Sequence, residues 1–274
     1  MIAEWRHDMR LVFLGTGNAN VTEIYNTCFL IQDSNKYLLV DGGGGNGLFR
    51  QLKALDIRWQ DIHDIYITHK HLDHIMGIIW LIRFYSQAMA RGGFSGSVTF
   101  YAHDEVIGIL RSFSSSLFPE KQLSFFDDRI RFVTVHDGET VSIISHPFTF
   151  FDIGSDKARQ FGFSMSYDGH RKLVCLGDEP FCERERKYAE NADWLLSEAF
   201  CLYEDRDVFR PYEKHHSTVK DAAELADSLN VRNLVLYHTE DKTIHDRKAR
   251  YTEEGRAYFH GNLYVPDDLE AISL

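Results

Sequence analysis

Apolar residues fall along this chain in short runs separated by glycine, aspartate and asparagine. Leu11-Val12-Phe13-Leu14, Cys28-Phe29-Leu30-Ile31 and Lys36–Val40 predict three strands, because runs this short, bounded by turn residues, suit strands better than helices. Between the first two, Gly15-Thr16-Gly17-Asn18 is a turn cluster; it lacks the third glycine and the following helix of a dinucleotide fingerprint. The third strand ends in Asp41-Gly42-Gly43-Gly44-Gly45, where glycine permits tight turns and close approach of other groups. Leu48–Leu55 then has helical periodicity, Ile65-Tyr66-Ile67 is a strand, and Ile75–Ala90 is apolar on nearly every face, as expected of a helix packed on a sheet. Ser97–Ala102 predicts a strand, Asp104–Phe113 a helix and Ile130–Val135 a strand, with His136-Asp137-Gly138-Glu139 as the turn of a hairpin into Thr140–Ile144. Phe148–Ile153 and Phe161–Ser166 follow as strands, and Tyr167-Asp168-Gly169-His170 turns the latter into Lys172–Leu176. Glu183–Ala192 reads as a helix with a solvated, charged face. Trp194-Leu195-Leu196 is an apolar run, Val219–Leu229 a helix that Ser217 or Thr218 can cap, and Asn233–Tyr237 a strand. This alternation, without a low-complexity break or repeat, predicts one α/β domain over residues 1–274, with a mixed sheet core and helices outside.

Composition narrows the function classes. The chain has 274 residues, 44% of them hydrophobic and 14% aromatic, enough to bury a sizeable core. Its formal net charge of -11 works against broad attraction to phosphate backbones or anionic lipid. No apolar run reaches the roughly eighteen residues of a membrane span, and Met1–Arg10 lacks the order of a signal peptide, so a cytoplasmic location is expected. Cys28, Cys175, Cys182 and Cys201 form no CxxC pair and are expected as reduced thiols, Cys175 and Cys201 as small core residues.

The chemistry concentrates in Thr68-His69-Lys70-His71-Leu72-Asp73-His74, directly after a predicted strand. Imidazole and carboxylate are the donors that suit zinc and its neighbours in catalytic sites. If the strand continues to Thr68, alternation turns His69 and His71 the same way, towards one metal, while Asp73 and His74 can reach a second. The plain alternative is a polar loop rich in histidine. Asp41 is either an acceptor that orients a metal-bound histidine or a turn and cap residue. Asp178 and His238 also follow apolar strands, where loops can converge on one sheet edge; a helix cap and an ordinary structural histidine are their respective alternatives.

His69-Lys70-His71-Leu72-Asp73-His74, Gly177-Asp178 and Leu236-Tyr237-His238, in this order, resemble the successive metal motifs of the metallo-β-lactamase superfamily. Phe13-Leu14-Gly15-Thr16-Gly17, Ser197-Glu198-Ala199-Phe200 and His216-Ser217-Thr218 resemble its ribonuclease Z branch. The resemblance implies an αββα four-layer sandwich with two divalent metal ions, zinc in the usual case and manganese or iron as alternatives. By matched positions His69 and His71 hold the first metal, Asp73, His74 and His238 the second, and Asp178 bridges them. Glu198 and His216 match a pair that assists proton transfer, so Asp73, His216 and Glu198 are the residues assigned to the catalytic step.

Two departures accompany the resemblance. The branch has a further histidine ligand before a Gly-aromatic pair like Gly162-Phe163; here the vacant position falls around Gly154, with His146, Asp152, Asp156 or water as candidates to complete the site. The protruding Gly/Pro-rich arm with which ribonuclease Z proteins hold tRNA is also missing, replaced by a tight hairpin at Asp168-Gly169. The expected activity is a two-metal phosphodiesterase on a small phosphodiester or single-stranded nucleic acid, with structured tRNA disfavoured, no membrane association, and a homodimer compatible with the resemblance. An ester, thioester or lactone hydrolase on the same fold, or a non-enzymatic metal-binding relative, are the alternatives.

Overall fold

A computed structural model describes residues 9–274; the reading of Met1–Arg10 falls mainly on residues outside that span. The strands are β1 (Met9–Gly15), β2 (Cys28–Asp33), β3 (Lys36–Val40), β4 (Asp64–Tyr66), β5 (Val98–Ala102), β6 (Ile130–Thr134) and β7 (Thr140–Ile143), followed by β8 (His146–Asp152), β9 (Phe161–Tyr167), β10 (Arg171–Cys175), β11 (Trp194–Glu198), β12 (Asn233–Tyr237), β13 (Asn262–Tyr264) and β14 (Ala271–Ser273). The helices are α1 (Gly47–Ala54), α2 (Leu72–Ala90), α3 (Asp104–Leu117), α4 (Glu120–Leu123), α5 (Arg186–Ala189), α6 (Arg206–Phe209), α7 (Val219–Ser228) and α8 (Arg247–Arg256). Two seven-stranded sheets run β14-β1-β2-β3-β4-β5-β6 and β13-β12-β11-β10-β9-β8-β7.

The short apolar runs are continuous because the inner strands, such as β1, β2, β11 and β12, are buried on both faces. In β1, Leu11 and Phe13 join the core between the sheets while Val12 and Leu14 face the layer of α1, α2 and α3. In β12, Val235 and Tyr237 turn to the same central core while Leu234 and Leu236 pack beneath α7 and α8. Helix, sheet, sheet and helix therefore stack as the expected αββα sandwich, around a central layer that includes Phe29, Tyr66, Phe148 and Phe163.

Three sequence readings are corrected. β6 and β7 form no hairpin: they are edge strands of different sheets, and the segment His136–Glu139 carries the chain from one sheet to the other. The hairpin lies one strand later, where Ile143 pairs with His146 across a two-residue turn of Ile144 and Ser145, both at positive φ. No glycine or asparagine announces it. The helix read from Ile75 starts at Leu72, so Asp73 and His74 lie in its first turn. Finally, Glu183–Ala192 holds a single 3₁₀ turn and the short α5, and Glu185 in it is buried.

Candidate metal centre and proton-transfer pair

Strands β3, β4, β5 and β6 run parallel in one sheet, and β10, β11, β12 and β13 run parallel in the other. Side chains just past the carboxyl ends of parallel strands share an edge, which is where α/β proteins build sites. Asp41 follows β3, His69 and His71 follow β4, Asp178 follows β10, Glu198 closes β11 and His238 follows β12. The backbone turns sharply at three of these places, with φ of 59° at Asp41, 88° at Gly177 and 60° at His238. Left-handed geometry is free at glycine and costs of order 1–3 kcal/mol elsewhere, a strain found where a site requires it.

The structure brings all six sequence-predicted metal residues together. One donor atom each from Asp73, His74, Asp178 and His238 lies within 4.8 Å of the others, and the same holds for His69, His71 and Asp178. Asp178 Oδ2 is common to both groups: it lies 3.6 Å from His69 Nε2, 3.1 Å from His74 Nε2 and 3.5 Å from His238 Nε2. His69 Nε2 and His71 Nδ1 face each other at 2.8 Å. The buried Nε2 of His74 faces Asp178 Oδ2 at 3.1 Å and Asp73 Oδ2 at 3.3 Å without hydrogen-bond geometry to either, the arrangement of donor atoms converging on a cation. Four imidazole or carboxylate donors in one group and three in the other, with Asp178 shared, fit two divalent ions of the zinc type.

Residues behind the donors fix their orientation. Asp41 Oδ2 pairs with His74 Nδ1 at 2.7 Å and accepts the Thr68 hydroxyl at 2.7 Å. Thr68 Oγ1 in turn lies 2.9 Å from His69 Nδ1, and Thr27 Oγ1 lies 3.3 Å from His238 Nδ1. Asp41 thus takes the orienting role, and as the N-cap of α1 the chain uses Asn46 instead.

Charge follows from burial and from these neighbours. Burial holds His69 well below the ordinary histidine value and brings His238 down to about 4, leaving both neutral and able to bind a metal. Burial opposes charge on His74 too, but the carboxylates of Asp73, Asp41 and Asp178 outweigh it and hold it well above the usual value. Burial likewise works against ionised Asp178, but the ring of imidazoles around it, His69, the charged His74 and His238, holds its carboxyl well below the usual range.

His216 and Glu198 lie beside the cluster. The His216 ring stacks on Phe200 with centroids 4.9 Å apart and is 5.3 Å from the His238 ring. Buried Glu198 accepts the Ser217 N–H through Oε1 at 2.5 Å and faces His216 Nδ1 through Oε2 at 3.6 Å, an ion-pair separation rather than a hydrogen bond. Burial raises Glu198, and burial pulls against a charged His216, but the facing carboxyl raises the histidine above its ordinary value. Of the two expected caps it is Thr218 that caps α7, accepting the Asp221 N–H in a reciprocal capping box.

The candidates for the vacant position do not reach the cluster. His146 Nε2 pairs with Asp33 Oδ2 at 2.9 Å, at the end of β8 away from the site. Asp152 Oδ1 accepts the Gly154 N–H at 2.7 Å, and Asp156 is exposed. Gly154 has φ of 79°, and a Cβ there would stand 2.6 Å from the Arg184 guanidinium carbon, so a side chain would need a strained backbone and a displaced arginine. The residue that does enter is Gln160, which the sequence reading passed over. Its signal was the β9–β10 hairpin: Phe163 pairs with Cys175, and three further residues along each strand set Gln160 opposite Asp178.

Comparison with known proteins adds the following. A family model described as Anti-Pycsar protein Apyc1 matches residues 9–260. The Ribonuclease Z of Exiguobacterium sp. is 27% identical, the match covering 96% of this chain and 98% of that protein. Among solved structures, the metallo-β-lactamase fold protein YhfI from Bacillus subtilis superposes with a TM-score of 0.75 at 18% identity, over 98% of this chain and 100% of that one. Human tRNase Z, short form (ELAC1), gives a TM-score of 0.72 at 22% identity, over 97% and 99%.

Proposed function

The chain belongs to the family of the anti-Pycsar protein Apyc1, within the metallo-β-lactamase superfamily of hydrolases, and on that premise we propose that it is a two-metal phosphodiesterase acting on a small phosphodiester. The observation that carries the reading is a proton-transfer pair, His216 and Glu198, standing beside two donor groups that share Asp178 Oδ2. His69, His71 and Asp178 would hold one divalent ion and Asp73, His74, Asp178 and His238 the other. When bound, the ions would acidify a nearby water to a pKa of about 7 and draw charge from a phosphoryl oxygen.

The chain's own residues do the rest. Asp41 and Thr68 keep His74 and His69 turned with Nε2 towards the centre. His216 delivers a proton to the leaving alkoxide, the step a phosphodiester needs and an activated ester does not; such a group contributes about 10²–10⁴-fold. Glu198 favours the charged imidazole from which that proton comes. A small substrate is supported by the three-residue turn Asp168–His170 between β9 and β10, where the tRNA-holding arm of the ribonuclease Z branch would protrude, and by the acidic net charge. The shared core between the sheets supports residues 1–274 acting as one hydrolase domain.

Removing His216 separates acid from ligand. His216→Ala should retain its metals and lose about 10²–10⁴-fold in kcat/KM on a diester with a ribose-like leaving group, but much less with a nitrophenolate, which leaves without a proton. His71→Ala and Asp178→Ala should abolish turnover of both substrates and lower metal content. Equal losses of His216→Ala on both substrates, with metal lost in parallel, would overturn the acid role; turnover of a thioester or lactone but of no phosphodiester would overturn the substrate class.

A further inference from the structure

Gln160 is only 1% exposed, yet its amide is not an ordinary core group. Its Nε2 donates to Asp178 Oδ1 and lies 2.9 Å from His69 Nδ1, while Oε1 is buried without a partner. The slot is built for it. A Cβ on Gly177, itself at φ of 88°, would lie 3.0 Å from Gln160 Cδ and 3.1 Å from Oε1, tight enough to displace the amide by a few tenths of an ångström. The backbone is pinned on the same spot: Phe161 N donates to Thr68 O at 3.2 Å, and Tyr66 Oη to Phe161 O at 2.7 Å.

We propose that Gln160 is a positioning residue of the metal centre, which holds Asp178 Oδ1 so that Oδ2 is the oxygen presented to both donor groups. This rests on the two-cation reading above. Turning the amide over would set Oε1 against the Asp178 carboxylate, acceptor to acceptor, so the amide hydrogens belong on the Asp178 side. A His69 that gives Nε2 to a cation carries its proton on Nδ1, and Thr68 Oγ1 is the acceptor there, because its own hydrogen goes to Asp41. Gln160 is then left with one charge-assisted bond, to Asp178. Without it the carboxylate is free to rotate and to give both oxygens to one ion. The group that suffers is His69, His71 and Asp178, which has no fourth protein donor among the described residues, whereas Asp73, His74 and His238 would still hold the second ion.

The test uses the full chain, stripped of metal and titrated with Zn²⁺ against a chromophoric chelator, and separately with Co²⁺ by its visible absorption. Gln160→Met keeps length and apolar bulk but has no donor. One ion should bind as in the parent, the other about 10–100-fold more weakly, with an altered cobalt spectrum for that ion and an unchanged melting temperature of the metal-free protein. Gln160→Asn, too short to reach Asp178, should do the same and serves if the methionine variant folds poorly. Two ions bound at parental affinity with the parental spectrum would overturn the role of Gln160 alone. A parent that binds fewer than two ions would overturn the two-cation reading and this proposal with it.

Discussion

Burial moves Glu185 far from ordinary carboxyl behaviour: with 1% of its surface exposed, Oε1 accepting the Cys182 N–H at 2.7 Å and Oε2 unpartnered, its pKa is pushed up to about 9. In the unfolded chain a glutamate titrates near about 4.3. Between those values the folded protein holds a proton that the unfolded chain has released, so this contribution is complete below about 4.3 and is lost as pH rises through about 9. Glu185→Gln keeps the acceptor for Cys182 and removes the titration. Its stability relative to the parent should therefore rise with pH by up to about 1.4 kcal/mol per unit between pH 5 and 8, read from urea unfolding at several pH values. A difference that stays flat with pH would show that Glu185 ionises normally. Residues of this kind show what was legible from sequence. His69, His71, Asp73, His74, Asp178 and His238 declared themselves because histidine and aspartate at strand ends are chemically conspicuous. Gln160 and Glu185 did not, because an amide before a strand and a glutamate among surface charges acquire their meaning only from what packs around them. Fully buried Arg247, bonded to Thr16, Thr239, Pro266 and Asp267, was hidden for the same reason.

At the scale of elements, the first turn of α2 carries Asp73 and His74 and is docked on the glycine loop after β3. Gly42 N donates to His74 O and Gly77 N to Gly43 O, each at 2.9 Å. The run of glycines foretold such a close approach but not its partner, since Gly77 lies in a helix where glycine has no local advantage. A Cβ on Gly77 would stand 1.8 Å from the Gly42 carbonyl oxygen, a backbone atom with nowhere to go. Alanine for glycine within a helix ordinarily stabilises by about 1 kcal/mol; here overpacking should reverse the sign and cost about 1–3 kcal/mol. Gly77→Ala is thus expected to lower the melting temperature by about 2–10 °C and to weaken retention of a metal, as α2 tilts away from the loop. A more stable variant would deny the contact. Elements were read best where both faces of a strand are buried, as in β1 and β12, because their apolar runs carry a two-sided signal. The misread turn at His136–Glu139 failed because turn residues describe a reversal of the chain and not which sheet the next strand joins.

At the scale of the whole molecule, the chain crosses between sheets at His136–Glu139 and returns for β14, so the halves contribute different donors: His69, His71, Asp73 and His74 from one, Asp178 and His238 from the other. Among the described residues no helix is long and apolar enough to cross a membrane. What approaches the edge shared by the two halves meets a protein of formal charge -11. A protein that grips nucleic acid through six or more phosphates shows a log–log salt slope of about -5 or steeper. This chain has neither the surplus of positive charge nor, in the Asp168–His170 turn, the length of arm to make such a grip. It should therefore cleave a small phosphodiester with higher kcat/KM than a precursor tRNA, and the small-substrate rate should change little between about 50 and 200 mM salt, the range over which phosphate-gripping proteins lose most of their affinity. The measurement is kcat/KM for both substrates across that range on the metal-loaded chain. Efficient cutting at the 3′ side of tRNA with a steep salt dependence would show that a local basic surface outweighs the net charge, and would return the protein to ribonuclease chemistry.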